Sequence, residues 1–137
     1  MRTINIIIMH CSAVRPWQRS SAADIERWHR ERGFSSIGYH YVVRRDGSIE
    51  PGRPLQQAGA HCRGYNRHSI GICYEGGLDK NGKAADTRTA KQKAALKRLT
   101  EELRRLFPGC TVWGHHDLNP KKACPCFDAR KEYASPP

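Results

Sequence analysis

Thr3-Ile4-Asn5-Ile6-Ile7-Ile8-Met9-His10-Cys11-Ser12 is the stretch on which the fold turns. Residues 3–9 form a β-branched, nearly unbroken apolar run, too apolar for an edge. It predicts a central strand covered on both faces. The strand runs straight into a histidine. Far along the chain, Thr111-Val112-Trp113-Gly114-His115 repeats the pattern of a short strand that ends in a histidine. It continues as His116-Asp117-Leu118-Asn119-Pro120-Lys121-Lys122-Ala123-Cys124-Pro125-Cys126. Leu118-Asn119-Pro120 and Cys124-Pro125-Cys126 both break regular structure, so this segment is expected to be a loop. His115 and Cys124, nine residues apart, can converge on one metal ion, but two ligands make a poor site. A catalytic zinc takes three protein ligands and keeps one position open. His10 supplies the third, so the expected zinc ligands are His10, His115 and Cys124.

The rest of the chain builds around these two strands. Ser21 caps a helix with Asp24 at its positive end; Ile25, Trp28 and Arg32 share one side, Trp28 as anchor, and Gly33 is the stop. Tyr39-His40-Tyr41-Val42-Val43-Arg44 predicts a second strand, turned by Arg45-Asp46-Gly47 into Ser48-Ile49-Glu50. Residues 51–68 are rich in Gly, Pro and Arg without a period, and are expected to form a surface loop. Residues 69–75 alternate Ile70, Ile72 and Tyr74 against Gly71, Cys73 and Glu75, the pattern of a strand. Residues 76–86 form another loop. Thr89 and Gln92 make a capping box for a second helix with a stripe of Gln92, Leu96, Leu99, Leu103 and Leu106, ended by Pro108-Gly109. Residues 127–133 suit a last helical turn or two. The order predicts a single α/β domain over 1–137, with its core at about 3–133: a central mixed sheet flanked by helices, the metal site at one end of the sheet.

With 137 residues, the chain is long enough to bury a core without staples. Its 24 Lys and Arg against 13 Asp and Glu leave a net charge of +11, which points to a polyanionic partner: nucleic acid, an anionic membrane or an acidic wall polymer. Ile6-Ile7-Ile8-Met9 is far shorter than a secretory h-region, and no run approaches membrane-spanning length, so synthesis in the cytoplasm without stable membrane insertion is expected. The six cysteines then suit free thiols, with one or two on metal, better than a disulfide framework. Cys11, Cys62, Cys73 and Cys110 are expected to be small buried or half-buried thiols. His29 and His40 suit structural roles, and His116 an exposed place or one behind the ligands. The basic run Lys91, Lys93, Lys97, Arg98, Arg104 and Arg105 is expected on a solvated helix face.

His10-Cys11-Ser12-Ala13, Trp28-His29, Gly38-Tyr39-His40, Arg45-Asp46-Gly47, Gly64-Tyr65-Asn66, Ser69-Ile70-Gly71-Ile72, His115-His116 and Lys122-Ala123-Cys124-Pro125 occur in one order. No single piece is specific, since Arg-Asp-Gly is merely a turn. The ordered set, from about residue 4 to about residue 133, resembles the zinc-dependent N-acetylmuramoyl-L-alanine amidases of the phage-lysozyme and peptidoglycan-recognition type. The resemblance implies zinc on His10, His115 and Cys124, with Tyr39 and Lys122 as catalytic residues and His61 beside the substrate groove. It implies hydrolysis of the amide between a lactyl group and L-alanine in peptidoglycan, as a phage or prophage endolysin that meets the wall after release or delivery by another factor. The segment from His115 to Cys124 is one residue longer than in the phage enzymes it most resembles, which sets Lys121 beside Lys122 as an alternative amine. Cys126 stands where a small polar residue is usual, as an alternative thiol.

Two other classes remain for comparison. Wall-binding relatives that do not cut typically lack the cysteine ligand, whereas this chain has all three ligand types and Tyr39. A basic regulator of nucleic acid or RNA polymerase would suit the charge, but aromatics are few and no nucleic-acid motif is present. A monomer is expected.

Overall fold

The computed structural model describes residues 2–134. The strands are β1 (Ile6–Cys11), β2 (Tyr41–Val43), β3 (Ile49–Pro51), β4 (Ser69–Tyr74) and β5 (Thr111–Gly114). The helices are α1 (Ala22–Glu31), α2 (Ala90–Leu106), and the one-turn α3 (His115–Leu118) and α4 (Ala129–Glu132). One sheet holds all five strands in the order β3-β2-β4-β1-β5. β1 pairs in parallel with both β4 and β5, β2 with β4 in parallel, and β3 is antiparallel to β2. The apolar run of β1 is therefore central, as its composition demands, and the sheet is mixed.

Alternation along β1 splits the core. Ile7, Met9 and Cys11 join Ile70, Ile72 and Tyr74 against Ala95, Leu96, Leu99 and Leu103 of α2. On the other face Val42 and Cys73 pack against Ile25 and Ile37, with Trp28 only partly buried beside them. Ser21 and Thr89 each accept from the backbone N–H three residues on, and Asp24 and Gln92 answer to the cap N–H, so both helices begin with the expected reciprocal cap.

Several expectations shift in detail. Tyr39 and His40 lie ahead of β2, although their carbonyls still accept from Arg53 and Gly52. The segment expected as a surface loop at 51–68 instead lays His61 across the second face of the sheet. It can do so because Gly71 has no side chain: a Cβ there would fall 2.7 Å from the His61 ring. α3 replaces the start of the expected loop because Asp117 Oδ2 accepts the Gly114 N–H at 2.8 Å. Leu106, the end of the predicted apolar stripe, is 66% exposed, since α2 outruns the sheet it covers. All six cysteines are free thiols, and Cys11, Cys62, Cys73 and Cys110 are buried. No helix among the described residues is long and apolar enough to cross a membrane.

Candidate metal centre and active site

Parallel register brings the two strand-end histidines together. Met9 of β1 pairs with Gly114 of β5, so His10 and His115 emerge side by side, their ring centroids 4.6 Å apart. Cys124 returns to them because its loop is tied down at three points. His116 N–H donates to Cys124 O at 2.8 Å, and the Tyr74 hydroxyl donates to Pro125 O at 2.7 Å. The Cys11 N–H donates to Cys124 Sγ at 3.1 Å. A ring nitrogen of each histidine and Cys124 Sγ all lie within 4.8 Å of one another. Cys126 Sγ turns elsewhere, toward Gly77 O at 3.4 Å and Cys11 Sγ at 3.9 Å.

The donor set suits zinc. His10 is 1% exposed, and burial, followed by the neighbouring imidazoles, pushes its pKa well down, so it presents the neutral ring that metals require. His115 is shifted down as well, by burial and then by the Lys122 ammonium. His10 Nε2 is 2.8 Å from His61 Nδ1, and His61 Nε2 is 3.2 Å from Ser69 Oγ. A proton on His10 Nε2 leaves Nδ1 as its free lone pair, and metal-binding histidines ordinarily have such a partner behind the ring. Burial lowers the His61 pKa to about 3, keeping this acceptor neutral.

His10 and His115 sit at the carboxyl ends of parallel strands, and His115 and Cys124 line an open cleft of about 730 Å³. Tyr39, His61 and Lys122 line it; Lys121 is not among its walls. The Tyr39 and His10 rings are 5.0 Å apart, and burial raises the Tyr39 phenol well above its usual pKa, so it keeps its proton. Arg32, Phe34, Arg63 and Asn119 also line the cleft, and the sequence did not mark them as site residues. Asn66 lay within the Gly64-Tyr65-Asn66 motif; its Oδ1 accepts the His61 and Cys62 N–H groups and so sets the His61 ring. His29 Nδ1 accepts the Gly38 N–H at 2.9 Å, and His40 Nδ1 accepts the Gly71 N–H at 3.0 Å, both structural bonds.

Among the described residues no carboxylate lines the cleft. Glu75 is buried under the Ser20 and Arg45 N–H groups and the Arg44 guanidinium, and Asp117 caps α3. Glycosidic cleavage normally needs a flanking carboxylate pair, whereas this cleft gathers two imidazoles, a thiol, a phenol and an amine, groups suited to metal-assisted attack on a carbonyl.

The chain belongs to the N-acetylmuramoyl-L-alanine amidase family, whose profile matches residues 1–127. It is 40% identical over 129 residues to the endolysin of Enterobacteria phage T3, covering 94% of this chain and 85% of that one. The endolysin of Escherichia phage T7 is 40% identical over 125 residues, covering 91% and 82%. Among solved structures, the amidase LysC from Clostridium intestinale superimposes with a TM-score of 0.80 at 28% identity, covering 96% of this chain and 82% of that one. The complex of peptidoglycan recognition proteins LCa and LCx with tracheal cytotoxin contains a similar chain, with a TM-score of 0.78 at 27% identity and coverage of 96% and 81%.

Proposed function

We propose that this peptidoglycan amidase of the endolysin type holds one zinc ion on His10, His115 and Cys124, and that Tyr39 and Lys122 serve the reacting atoms. The bond cut joins the lactyl group of N-acetylmuramic acid to L-alanine, and the site of action is the cell wall, reached after release or delivery by another factor. The observation that carries the reading is the convergence of the three ligand atoms within 4.8 Å at a cleft that His115, Cys124, Tyr39 and Lys122 line.

Zinc bound there supplies a Lewis acid and lowers the pKa of water to about 7. The protein's own groups do the rest. Tyr39, held protonated by burial, orients the attacking water and relays a proton toward the departing nitrogen. The Lys122 ammonium donates to the carbonyl oxygen as negative charge builds on it; one such donor is typically worth roughly 100- to 1,000-fold in rate. His61 has both ring nitrogens engaged, by His10 and Ser69, so its contribution at the groove is to hold the His10 ring as well as to form the wall beside the substrate.

Metal analysis of the purified protein tests the ligand set. One zinc per chain is expected, lost in His10→Ala and Cys124→Ser and kept in Cys126→Ser. Zinc stripped by Cys126→Ser but retained by Cys124→Ser would move the sulfur ligand two positions along.

A further inference from the structure

A second concavity, of about 410 Å³, lies beside the cleft, lined by Asn5, Ile6, Tyr65, His68, Trp113 and Leu118. It occupies the same sheet face as His10. Ile6, Ile8 and His10 alternate onto that face, and Trp113 is the register partner of Ile8. Two segments wall both hollows. Arg63 and Asn66 face the cleft where Gly64 and Tyr65 face the groove; His115 and Asn119 face the cleft where Leu118 faces the groove. The groove therefore continues the cleft on the β5 side, opposite the wall formed by His29, Arg32 and Phe34.

We propose that this groove is a subsite for a pyranose ring of the glycan strand, beyond the sugar that carries the scissile amide. The identity of the ligand rests on the amidase reading: the bond cut has a peptide arm and a glycan arm, and the two sides of the site differ in chemistry. The cleft carries Arg32, suited to a peptide's carboxylates. The groove has no Lys, Arg, Asp or Glu in its walls. It offers aromatic and aliphatic surface beside an amide and an imidazole, as the apolar face and polar edge of a neutral N-acetylated sugar require.

Its two aromatics are prepared for this. Tyr65 is left 41% exposed. Trp113 is held before any ligand arrives: its Nε1–H donates to Thr111 Oγ1 at 2.9 Å, and the Arg130 guanidinium lies 3.9 Å from the ring centre. A ring already fixed has little conformational entropy to lose on binding.

The test compares zinc-loaded wild type with Tyr65→Ala on two substrates, a muramoyl-peptide with a single sugar and a glycan oligomer carrying the same peptide. A peptide-free oligomer of the same glycan is titrated into both proteins by NMR. Expected are a fall of about tenfold in kcat/KM on the oligomer, an unchanged rate on the single-sugar substrate, and weakened binding of the peptide-free oligomer. Tyr65→Phe should restore all three, because the ring and not the hydroxyl stacks. Equal losses on both substrates would mean that Tyr65 only supports the fold, and no loss on either would empty the groove of its role; both overturn the proposal. Wild-type protein that binds the peptide-free oligomer at this groove but cuts neither substrate would instead remove the amidase reading and leave the subsite standing.

Discussion

In the proposed mechanism Tyr39 and Lys122 serve the substrate without holding the metal, which makes them separable from the ligands by experiment. Tyr39→Phe and Lys122→Ala should keep zinc and fold while kcat falls by roughly 100- to 1,000-fold, with KM moving little, because each removes a contact made mainly in the transition state. Lys121→Ala should be far milder, measured as initial rates on a soluble muropeptide beside zinc content. A Lys121→Ala loss as deep as that of Lys122→Ala would shift the amine by one position. The sequence could not choose between the two lysines, since the extra residue in the loop has no fixed place in a one-dimensional register. The fold separates them: Lys122 lines the cleft, whereas Lys121 has its N–H on Asn119 Oδ1 and its side chain in solvent. Cys124 and Cys126 part for a similar reason, because only the Cys124 sulfur turns toward the histidines.

At the scale of elements, β1 and α2 were legible because each carries an unbroken pattern, an apolar run in one and a capped stripe in the other. Gln92 has a second role that no pattern could show. Its Oε1 accepts the Thr89 N–H, while its Nε2 donates to the Glu75 and Val43 carbonyls at 2.9 and 3.2 Å, so one buried side chain both starts α2 and fastens it to the sheet. Gln92→Leu leaves the Glu75 carbonyl and the Thr89 N–H without this partner, while Val43 O keeps the Glu75 N–H, and should lower stability by about 2–4 kcal/mol, read as a reduced urea midpoint at unchanged slope. A change under about 0.5 kcal/mol would show that water replaces the lost bonds. The segment at 51–68 and α3 were not legible as structure. They are held by individual bonds, Asn66 to the His61 and Cys62 N–H groups and Asp117 to the Gly114 N–H, which leave no periodicity in the chain. Tyr39 lies outside its predicted strand because β-propensity does not mark where pairing becomes irregular.

For the whole molecule, a net charge of +11 should draw the protein to an anionic wall through a field screened within about 8 Å at physiological salt. Raising salt should therefore weaken its retention on sacculi while cleavage of a short soluble muropeptide changes little. Equal salt sensitivity in both assays would place the effect of charge inside the cleft. The helix face that supplies much of this charge, with Lys91, Lys93, Lys97, Arg98 and Arg105 exposed, was legible as a solvated surface; Arg104 departs from it by donating to Tyr133 O at 2.8 Å. The proposed amidase activity stands or falls on which bond is cut. A wall can be opened at sugar–sugar, sugar–peptide or peptide–peptide links, and each leaves a different new end. Purified sacculi digested with the zinc-loaded protein should release free L-alanine amino termini in step with the fall in turbidity, without new reducing ends; chelation should stop the release and added zinc restore it. Reducing ends that appear as fast as amines, or new amino termini on residues other than L-alanine, would contradict it.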